Sequence, residues 1–313
     1  MSLQQTEVVV VGAGGMGALF GAILQQGGME VVLVDPNEAH VAAIQTSGLH
    51  LEGFGGERTM PMTATTNPED VQAARLLLFQ CKGHATRAAA KSIRHLVRGG
   101  AVCISFQNGL GNEEVIAHEV GSEHVLGGLT AMAGMLLGPG RVRDFSRVPS
   151  YLGELSGGCS ERADAIAREL TAAGLETHAS PNIRQEIWKK LLGNISMSAL
   201  SGLTDLTAAE LMALPELKAI SLAAMDEALS VGQAVGMELD RDAVLRGMEL
   251  ISQPGGTGDN KSSLCVDLLN RRRTEVDFIY GSVIELAESQ GLATPTLKTL
   301  HALVKGVESR LGV

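Results

Sequence analysis

Three glycines near the start of the chain have the spacing of a phosphate-binding turn. Gly12, Gly14 and Gly17 form G-x-G-x-x-G directly after the apolar run VVVVG at 8–12 and at the head of a predicted helix. The first glycine permits a tight turn, the second lets a pyrophosphate approach the main chain, and the third lets the helix pack closely on the strand. Free backbone N–H groups and the positive end of the helix then face the anion.

An acidic residue follows at the distance that dinucleotide sites require. Asp35 ends the next apolar run, EVVLVD, 21 residues after Gly14. A carboxylate there can accept hydrogen bonds from the ribose hydroxyls of adenosine, and it repels a 2′-phosphate. Its neighbours in DPNEAH include no Arg or Lys. The pattern predicts a dinucleotide site that favours NAD, with NADP as the alternative. Its predicted cofactor-binding residues are Gly12, Ala13, Gly14, Gly15, Met16, Gly17 and Asp35.

A second polar set recurs at helical spacing in the segment IWKKLLGNISMSAL. Lys190, Asn194 and Ser198 follow one another four residues apart, so a helix places them on one face. Leucines and isoleucines border this stripe. The spacing alone leaves two interpretations open, a functional stripe and a helix edge that faces water.

The chain divides into two parts with different sequence patterns. Up to about residue 180, β-rich runs alternate with helix-length connections, and the runs lie at 8–12, 30–35, 75–82, 101–108 and 124–130. This alternation predicts a Rossmann-type, doubly wound parallel sheet over residues 1–179, with an antiparallel ribbon at 138–155 added to it. Helical periodicity, with stops at Gly236 and Gly291, predicts an all-α domain over 180–313.

The composition excludes several classes of protein. The net charge of −10 disfavours binding to nucleic acid or to an anionic membrane. Apolar runs are too short to span a membrane, and the start of the chain lacks the basic region of a signal peptide. The four cysteines show neither metal-ligand nor disulfide-framework spacing. We therefore expect a cytoplasmic protein without a metal, acting on a small molecule.

Five motifs together resemble a known family. They are GAGGMG, CKGHAT, QNGLGNEE, NIRQEIWKKLLGN and KSSLCVDLLNRRRTEVDFIYG, and they extend over nearly the whole chain. In order and spacing they are similar to those of ketopantoate reductase (2-dehydropantoate 2-reductase), of the 6-phosphogluconate-dehydrogenase-like superfamily. The resemblance implies reduction of ketopantoate to (R)-pantoate by a nicotinamide cofactor, in pantothenate and coenzyme A biosynthesis.

The resemblance also implies catalytic and substrate-binding roles. Lys190 corresponds to the catalytic acid, Asn194 to a substrate-binding amide, Ser263 to the residue that holds the substrate carboxylate, and Glu275 to a catalytic acid group that orients lysine and cofactor. A lysine suits ketone reduction, because its positive charge stabilises the developing alkoxide before it is protonated. Two alternatives stay open: Glu275 as a surface ion pair among neighbouring arginines, and the serines at 262–263 as a helix N-cap.

Further residues correspond to the nicotinamide end of the site. Asn108 and Lys82 match groups that line the nicotinamide and its ribose, and Asn108 is expected to contact substrate as well. Gly134 falls where the backbone of the family passes the cofactor. The alternative for Asn108 is a turn residue before Gly109.

Some positions depart from the family pattern. Ser198, expected to contact substrate, and Ala208 stand where asparagines are usual, and Tyr280 replaces another common asparagine. Asp35 differs from the basic residue of NADP-dependent members. These departures leave open an NAD-dependent D-2-hydroxy-acid dehydrogenase of the mandelate type, which acts on another branched or aromatic 2-oxo acid. A separate alternative is a non-catalytic dinucleotide sensor. The apolar helical half also makes a homodimer possible as the assembly.

Overall fold

A computed structural model of the protein describes residues 6–255 and 257–313. Two compact units can be distinguished in it. The α/β unit comprises the chain up to Gln107 and the segment Asn112–Arg184, and the helical unit comprises Asn108–Gly111 and Gln185–Val313. Asn108 thus belongs to the helical unit, although Gln107 directly before it belongs to the α/β unit. The predicted boundary at residue 180 stays a prediction.

The α/β unit is built from strands and the helices that connect them. Its described strands are β1 (Thr6–Val11), β2 (Val31–Val34), β3 (Leu49–Gly53), β4 (Arg58–Met60), β5 (Thr63–Thr65), β6 (Ala74–Phe79), β7 (Val102–Ser105), β8 (Val125–Thr130), β9 (Ala133–Gly138), β10 (Arg141–Ser146), β11 (Ser150–Glu154) and β12 (Thr177–Ala179). Its described helices are α1 (Gly15–Gln26), α2 (Glu38–Ser47), α3 (Thr86–Ser92), α4 (Arg94–Arg98), α5 (Asn112–Val120) and α6 (Glu161–Ala172).

Eight of these strands form one sheet in the order β5-β2-β1-β6-β7-β8-β11-β12. All neighbours are parallel except β8 and β11. The valines of β1 are almost completely buried, as expected for a central strand that is covered on both faces. The doubly wound sheet predicted from the sequence is confirmed. From β1 the chain continues to β2 on one side of the sheet, and from β6 it continues to β7 on the other side. Ligands of such sheets bind at the carboxyl ends of the strands at this switch point.

The predicted ribbon at 138–155 is wrong in its extent and in its placement. An antiparallel pair, β9 and β10, begins earlier, at Ala133, and belongs to a second sheet of order β4-β3-β10-β9. The following strand, β11, pairs antiparallel with β8 in the large sheet. The sequence could not separate these two partners, because neighbouring strands in the chain carry no signal of which sheet each one joins.

The helical unit consists of seven described helices. They are α7 (Ile183–Thr204), α8 (Ala208–Ala213), α9 (Pro215–Ala234), α10 (Arg241–Ile251), α11 (Ser263–Leu269), α12 (Ser282–Ser289) and α13 (Pro295–Leu311). Gly236 and Gly291 follow α9 and α12 with φ of +87° and +68°, so both predicted helix stops are confirmed. None of the described helices combines the length and apolar character needed to cross a membrane.

A single core holds the helical unit together. Trp188, Leu192 and Ile195 of α7 are buried in it with residues of α9, α12 and α13. A π-helical turn, Asp277–Gly281, leads directly into α12 and contributes the fully buried Tyr280. Because apolar residues of α7 face this core, the polar stripe of the same helix lies along the border of the core.

Candidate active site

The glycine turn after β1 has the tight geometry that its sequence predicts. Gly12 has a φ of +95°, which disfavours any residue with a side chain. A Cβ at this position would also lie 2.5 Å from the backbone nitrogen of Cys81, which follows β6. A Cβ on Gly17 would lie 1.9 Å from the carbonyl oxygen of Gly12. The first and third glycines are therefore required by close packing between β1, α1 and the end of β6.

The second glycine leaves an open space at the start of α1. Gly14 is the N-cap of this helix, and among the described residues no side chain caps it. A Cβ at Gly14 would meet no atom within 4 Å. The first-turn N–H groups of any helix lack intrahelical acceptors, so this end presents donors and positive potential to the space above Gly14. The charge of a pyrophosphate suits this helix start, and its approach to Gly14 meets no side chain within 4 Å.

Asp35 is held in place by the turn and by the start of α2. Its Oδ2 accepts a hydrogen bond from the Ala13 N–H at 2.8 Å, and its Oδ1 accepts one from the Asn37 N–H at 2.9 Å. A carboxylate has about four acceptor positions, so these two bonds leave capacity for the hydroxyls of a ribose. The side chain is half-buried directly after β2.

Strand β9 packs closely against the start of α1. A Cβ on Gly15 would lie 2.8 Å from the carbonyl oxygen of Gly134 and 2.8 Å from the nitrogen of Leu136. Met16 is half-buried and packs against the core of the α/β unit. Gly134 thus lies beside the glycine turn, and its contact with a cofactor stays a prediction.

A buried polar network fixes the loop that carries Lys82. The side-chain amide of Gln107 donates to the Cys81 carbonyl oxygen and to the Thr86 hydroxyl, both at 2.7 Å. The Thr86 hydroxyl donates in turn to Oδ1 of Asn112 at 3.0 Å. This network joins the motifs CKGHAT and QNGLGNEE, and it holds half-buried Lys82 beside the residue that packs on Gly12.

In the helical unit, Lys190 lies on α7 with two polar partners. Its Nζ donates to Oδ1 of Asn108 at 2.7 Å, across 82 residues of sequence. Burial lowers the pKa of the Lys190 ammonium from 10.5 to about 8, and the negative charge of Glu275 opposes this shift. A lysine with this pKa exchanges its proton near neutral pH, as a general acid must.

Glu275 is a buried carboxylate and does not lie on the surface. Its exposed fraction is 6%, whereas Arg271, Arg272 and Arg273 are all exposed. Arg273 pairs instead with Asp277 at 3.2 Å. The surface interpretation of Glu275 is therefore wrong, and the carboxylate acts electrostatically on Lys190.

The rest of the polar stripe continues along α7. Asn194 is half-buried one turn after Lys190, and Ser198 is buried one turn further. A helix edge in open water is thus the wrong interpretation of the stripe. The N-cap of α11 is Ser262, whose hydroxyl accepts from the Cys265 N–H and donates to the Ser198 carbonyl oxygen. Ser263 follows it as an exposed residue of the first turn.

Tyr280 has a role that the sequence did not indicate. Its hydroxyl donates to the Ile195 carbonyl oxygen at 2.6 Å and accepts from the Ala199 N–H at 3.0 Å. These are the two groups that an uninterrupted helix pairs with each other. Tyr280 is fully buried, so here its side chain supports α7 and is not a surface for ligand. Ala208, another position that departs from the family pattern, is half-buried at the start of α8.

Comparisons with known proteins identify a family along both units. The family model described as "Ketopantoate reductase PanE/ApbA" matches residues 8–157, and the model described as "Ketopantoate reductase PanE/ApbA C terminal" matches residues 182–308. The 2-dehydropantoate 2-reductase of Archaeoglobus fulgidus is 32% identical over 304 residues, which cover 97% of this chain and 98% of that protein. The 2-dehydropantoate 2-reductase of Halobacterium salinarum is 29% identical, with coverage of 95% and 97%.

Solved structures are similar along the same length. D-mandelate dehydrogenase in a ternary structure with NADH and anilino(oxo)acetate has a TM-score of 0.94 at 30% identity, covering 98% of this chain and all of that one. A PanE/ApbA family ketopantoate reductase from Ralstonia eutropha has a TM-score of 0.90 at 29% identity, with the same coverage. The predicted fold and the family resemblance are both confirmed.

Proposed function

The chain belongs to the ketopantoate reductase family, and from that premise we propose that it reduces ketopantoate to (R)-pantoate with a nicotinamide cofactor. Such a reaction belongs to the synthesis of pantothenate and coenzyme A. The enzyme is an NAD(P)-dependent oxidoreductase that acts on the CH–OH group of a 2-hydroxy acid. The proposed division of labour follows the predicted domains, with dinucleotide binding at 1–179 and catalysis at 180–313.

One observation carries the proposal most strongly. A half-buried lysine, Lys190, has a pKa of about 8, an amide partner in Asn108 and a buried carboxylate, Glu275, that acts on its charge. A dinucleotide sensor needs none of these groups. They suit a reductase, because the lysine must be cationic when charge develops on oxygen and must then release a proton.

The proposed mechanism assigns a task to each group. When bound, the nicotinamide supplies a hydride for the carbonyl carbon of the substrate. Lys190 donates a hydrogen bond to the carbonyl oxygen and then transfers its proton to that oxygen, so that no free alkoxide persists. Glu275 keeps enough of the lysine protonated at neutral pH, since its negative charge opposes the effect of burial.

The remaining polar groups would orient the substrate. Asn194 and Ser198, on the same face of α7 as Lys190, would bind its polar groups, and Ser263 would hold its carboxylate. Asn108 accepts from Lys190 and thereby restricts the direction of the ammonium group. Fixed donors and acceptors of this kind raise the rate because the reacting atoms meet in one arrangement.

The cofactor proposal rests on the α/β unit. The uncapped start of α1, the space at Gly14 and the carboxylate of Asp35 suit the pyrophosphate and the ribose of a dinucleotide. Lys82 and Gly134 adjoin the same turn and would line the nicotinamide end. We propose NAD as the preferred cofactor, because the Asp35 carboxylate repels the 2′-phosphate of NADP.

A second candidate function is favoured by the same aspartate. An NAD-dependent D-2-hydroxy-acid dehydrogenase of the mandelate type would explain Asp35 together with Ser198 and Ala208 in place of asparagines. The similarity to a D-mandelate dehydrogenase complexed with NADH also favours it. In this case the substrate is another branched or aromatic 2-oxo acid, and the role of Lys190 is unchanged.

Steady-state kinetics separate the two candidates. The purified enzyme is assayed with ketopantoate, benzoylformate and 2-oxoisovalerate, each with NADH and with NADPH. We expect the highest kcat/KM with ketopantoate and NADH. A kcat/KM for ketopantoate far below that for benzoylformate would instead establish the second candidate, and inactivity with all three acids would favour the sensor.

Two further proposals concern the location and the assembly of the protein. We propose a cytoplasmic location, which is consistent with four free cysteines in the described structure. We also propose a homodimer, because the helical unit exposes large apolar side chains such as Leu250 and Ile251. Light scattering coupled to size-exclusion chromatography tests the second point, and a monomeric mass over a wide range of protein concentrations would exclude it.

A further inference from the structure

The segment that carries Glu275 is tied to α13 by a buried carboxylate. Both the backbone N–H and the hydroxyl of Thr274 donate to Oε1 of Glu308, at 2.8 and 2.7 Å. Thr274 and Glu308 are each only 2% exposed. Burial acts to raise the pKa of the Glu308 carboxyl, but Lys305 and Thr274 outweigh it and hold this pKa below its usual value. Glu308 is therefore an ionised anchor for the residue directly before Glu275.

A second anchor holds the same segment two residues after Glu275. Oδ2 of Asp277 accepts from the Lys305 ammonium at 3.1 Å, and its Oδ1 lies 2.9 Å from Nε2 of His301. Lys305 also pairs with Oε2 of Glu308 at 2.8 Å. His301, Lys305 and Glu308 recur at positions i, i+4 and i+7, so they share one face of α13. This face of α13 therefore contacts the chain on both sides of Glu275, at Thr274 and at Asp277.

The same stretch of chain also supports the other partner of Lys190. The Leu110 N–H donates to the Phe278 carbonyl oxygen at 2.9 Å, and the Ser282 hydroxyl donates to the Leu110 carbonyl oxygen at 3.2 Å. Gly109, with a φ of +89°, lets the backbone of Phe278 approach so closely that a Cβ would lie 2.5 Å from its carbonyl oxygen. The loop that carries Asn108 is thereby fixed to the π-helical turn.

We propose that Thr274 and Glu308 are positioning residues that set the proton affinity of Lys190 through Glu275. Neither residue needs to touch substrate or cofactor. The attraction between the Glu275 carboxylate and the Lys190 ammonium weakens as their separation grows. If the segment that carries Glu275 is released from α13, the carboxylate therefore raises the pKa of Lys190 by a smaller amount. Burial of Lys190 is unaffected, and its pKa falls. The inference rests on the proposed function for its catalytic meaning, but not for its test.

The test measures the pKa of Lys190 directly. Lysine is labelled with ¹³C at Cε, whose chemical shift follows protonation, and the Lys190 signal is identified by its loss in Lys190→Arg. In Thr274→Val and in Glu308→Gln we expect the Lys190 pKa to fall by about half a pH unit, which is about threefold in acid dissociation constant. Thr274→Ser retains the hydroxyl and should restore the wild-type value.

The control removes an ion pair from the same helix without touching the segment. Lys298 of α13 pairs with Glu288 at 2.7 Å, with both side chains exposed, so Lys298→Gln should leave the Lys190 pKa unchanged. If Thr274→Val does not fold, Thr274→Ala removes the same hydroxyl with a smaller side chain and without a change of charge. An unchanged Lys190 pKa in a folded variant that lacks the Thr274 hydroxyl, even with a lowered Tm, would overturn the inference.

The outcomes also separate this inference from the proposed function. A shifted Lys190 pKa in a protein that reduces no 2-oxo acid supports the positioning role and contradicts the reductase. Efficient reduction with an unshifted pKa in the variants supports the reductase and contradicts the positioning role.

Discussion

The rate of reduction should fall as pH rises through the pKa of Lys190. The lysine must be protonated to deliver a proton, and burial lowers its pKa from 10.5 to about 8 against the opposing charge of Glu275. We expect kcat/KM for the 2-oxo acid, measured at saturating cofactor, to lose activity with an apparent pKa near 8. For oxidation of the 2-hydroxy acid, kcat/KM should instead rise with pH through the same pKa, because the same lysine must then be deprotonated.

The size of the effect follows from the two pKa values. With a pKa of about 8, the lysine is about 90% protonated at pH 7 and about 9% at pH 9, so the rate should fall about tenfold between them. With the ordinary value of 10.5 it would still be about 97% protonated at pH 9, and the rate would barely change. A pH series from 6 to 10 distinguishes the two cases without knowledge of the absolute rate.

Substitutions at the two adjacent lysines assign the effect to one side chain. Lys190→Arg keeps a positive charge that does not titrate in this range, so the loss of activity near pH 8 should disappear from the activity that remains. Lys190→Ala should cost at least about 100-fold in kcat. Lys189 is exposed and pairs with Glu186 at 2.9 Å, so Lys189→Gln should behave like the wild type. Activity of Lys190→Ala within about threefold of the wild type would refute the general-acid assignment.

Three further substitutions test the proposed dinucleotide site and the support of α7 by Tyr280. Gly14→Val should weaken dinucleotide binding at least about tenfold by calorimetry with little change in Tm, because its side chain enters open space that the pyrophosphate would fill. An unchanged affinity would contradict the proposed pyrophosphate site at Gly14. Asp35→Asn should reduce the preference of kcat/KM for NADH over NADPH by about tenfold, as it removes the repulsion of a 2′-phosphate, and an unaltered preference would count against the ribose assignment. Tyr280→Phe should lower the free energy of unfolding by about 1–2 kcal/mol in urea titrations, since Ile195 and Ala199 lose the bridging hydroxyl; stability equal to the wild type would mean that the two groups pair directly without it.

Residues close in sequence account for most of what could be predicted. The turn from Gly12 to Gly17 needs only the strand before it and the helix after it, so its conformation follows from local spacing. The order of β-rich runs and helices predicts the doubly wound sheet for the same reason. Short strands such as β4 and β5 have three residues each and carry too little periodicity to be recognised.

The second sheet shows where local patterns stop being sufficient. β9 and β11 lie in one stretch of chain, yet β9 pairs with β10 and β11 pairs with β8. The choice depends on which edge has space and unpaired backbone groups once the rest of the sheet exists. A single sequence contains no direct record of that competition.

The glycine turn after β1, the acid after β2 and the polar stripe of α7 could be recognised from the sequence, because each depends on spacing along one segment. The tertiary structure shows that Asn108 accepts a hydrogen bond from Lys190 across 82 residues and that Glu275 is buried among exposed arginines. It also decided that α13 anchors the segment before and after Glu275. The physical reason is that the pKa of a lysine depends on desolvation and on nearby charge, and both are set by packing between elements distant in the chain.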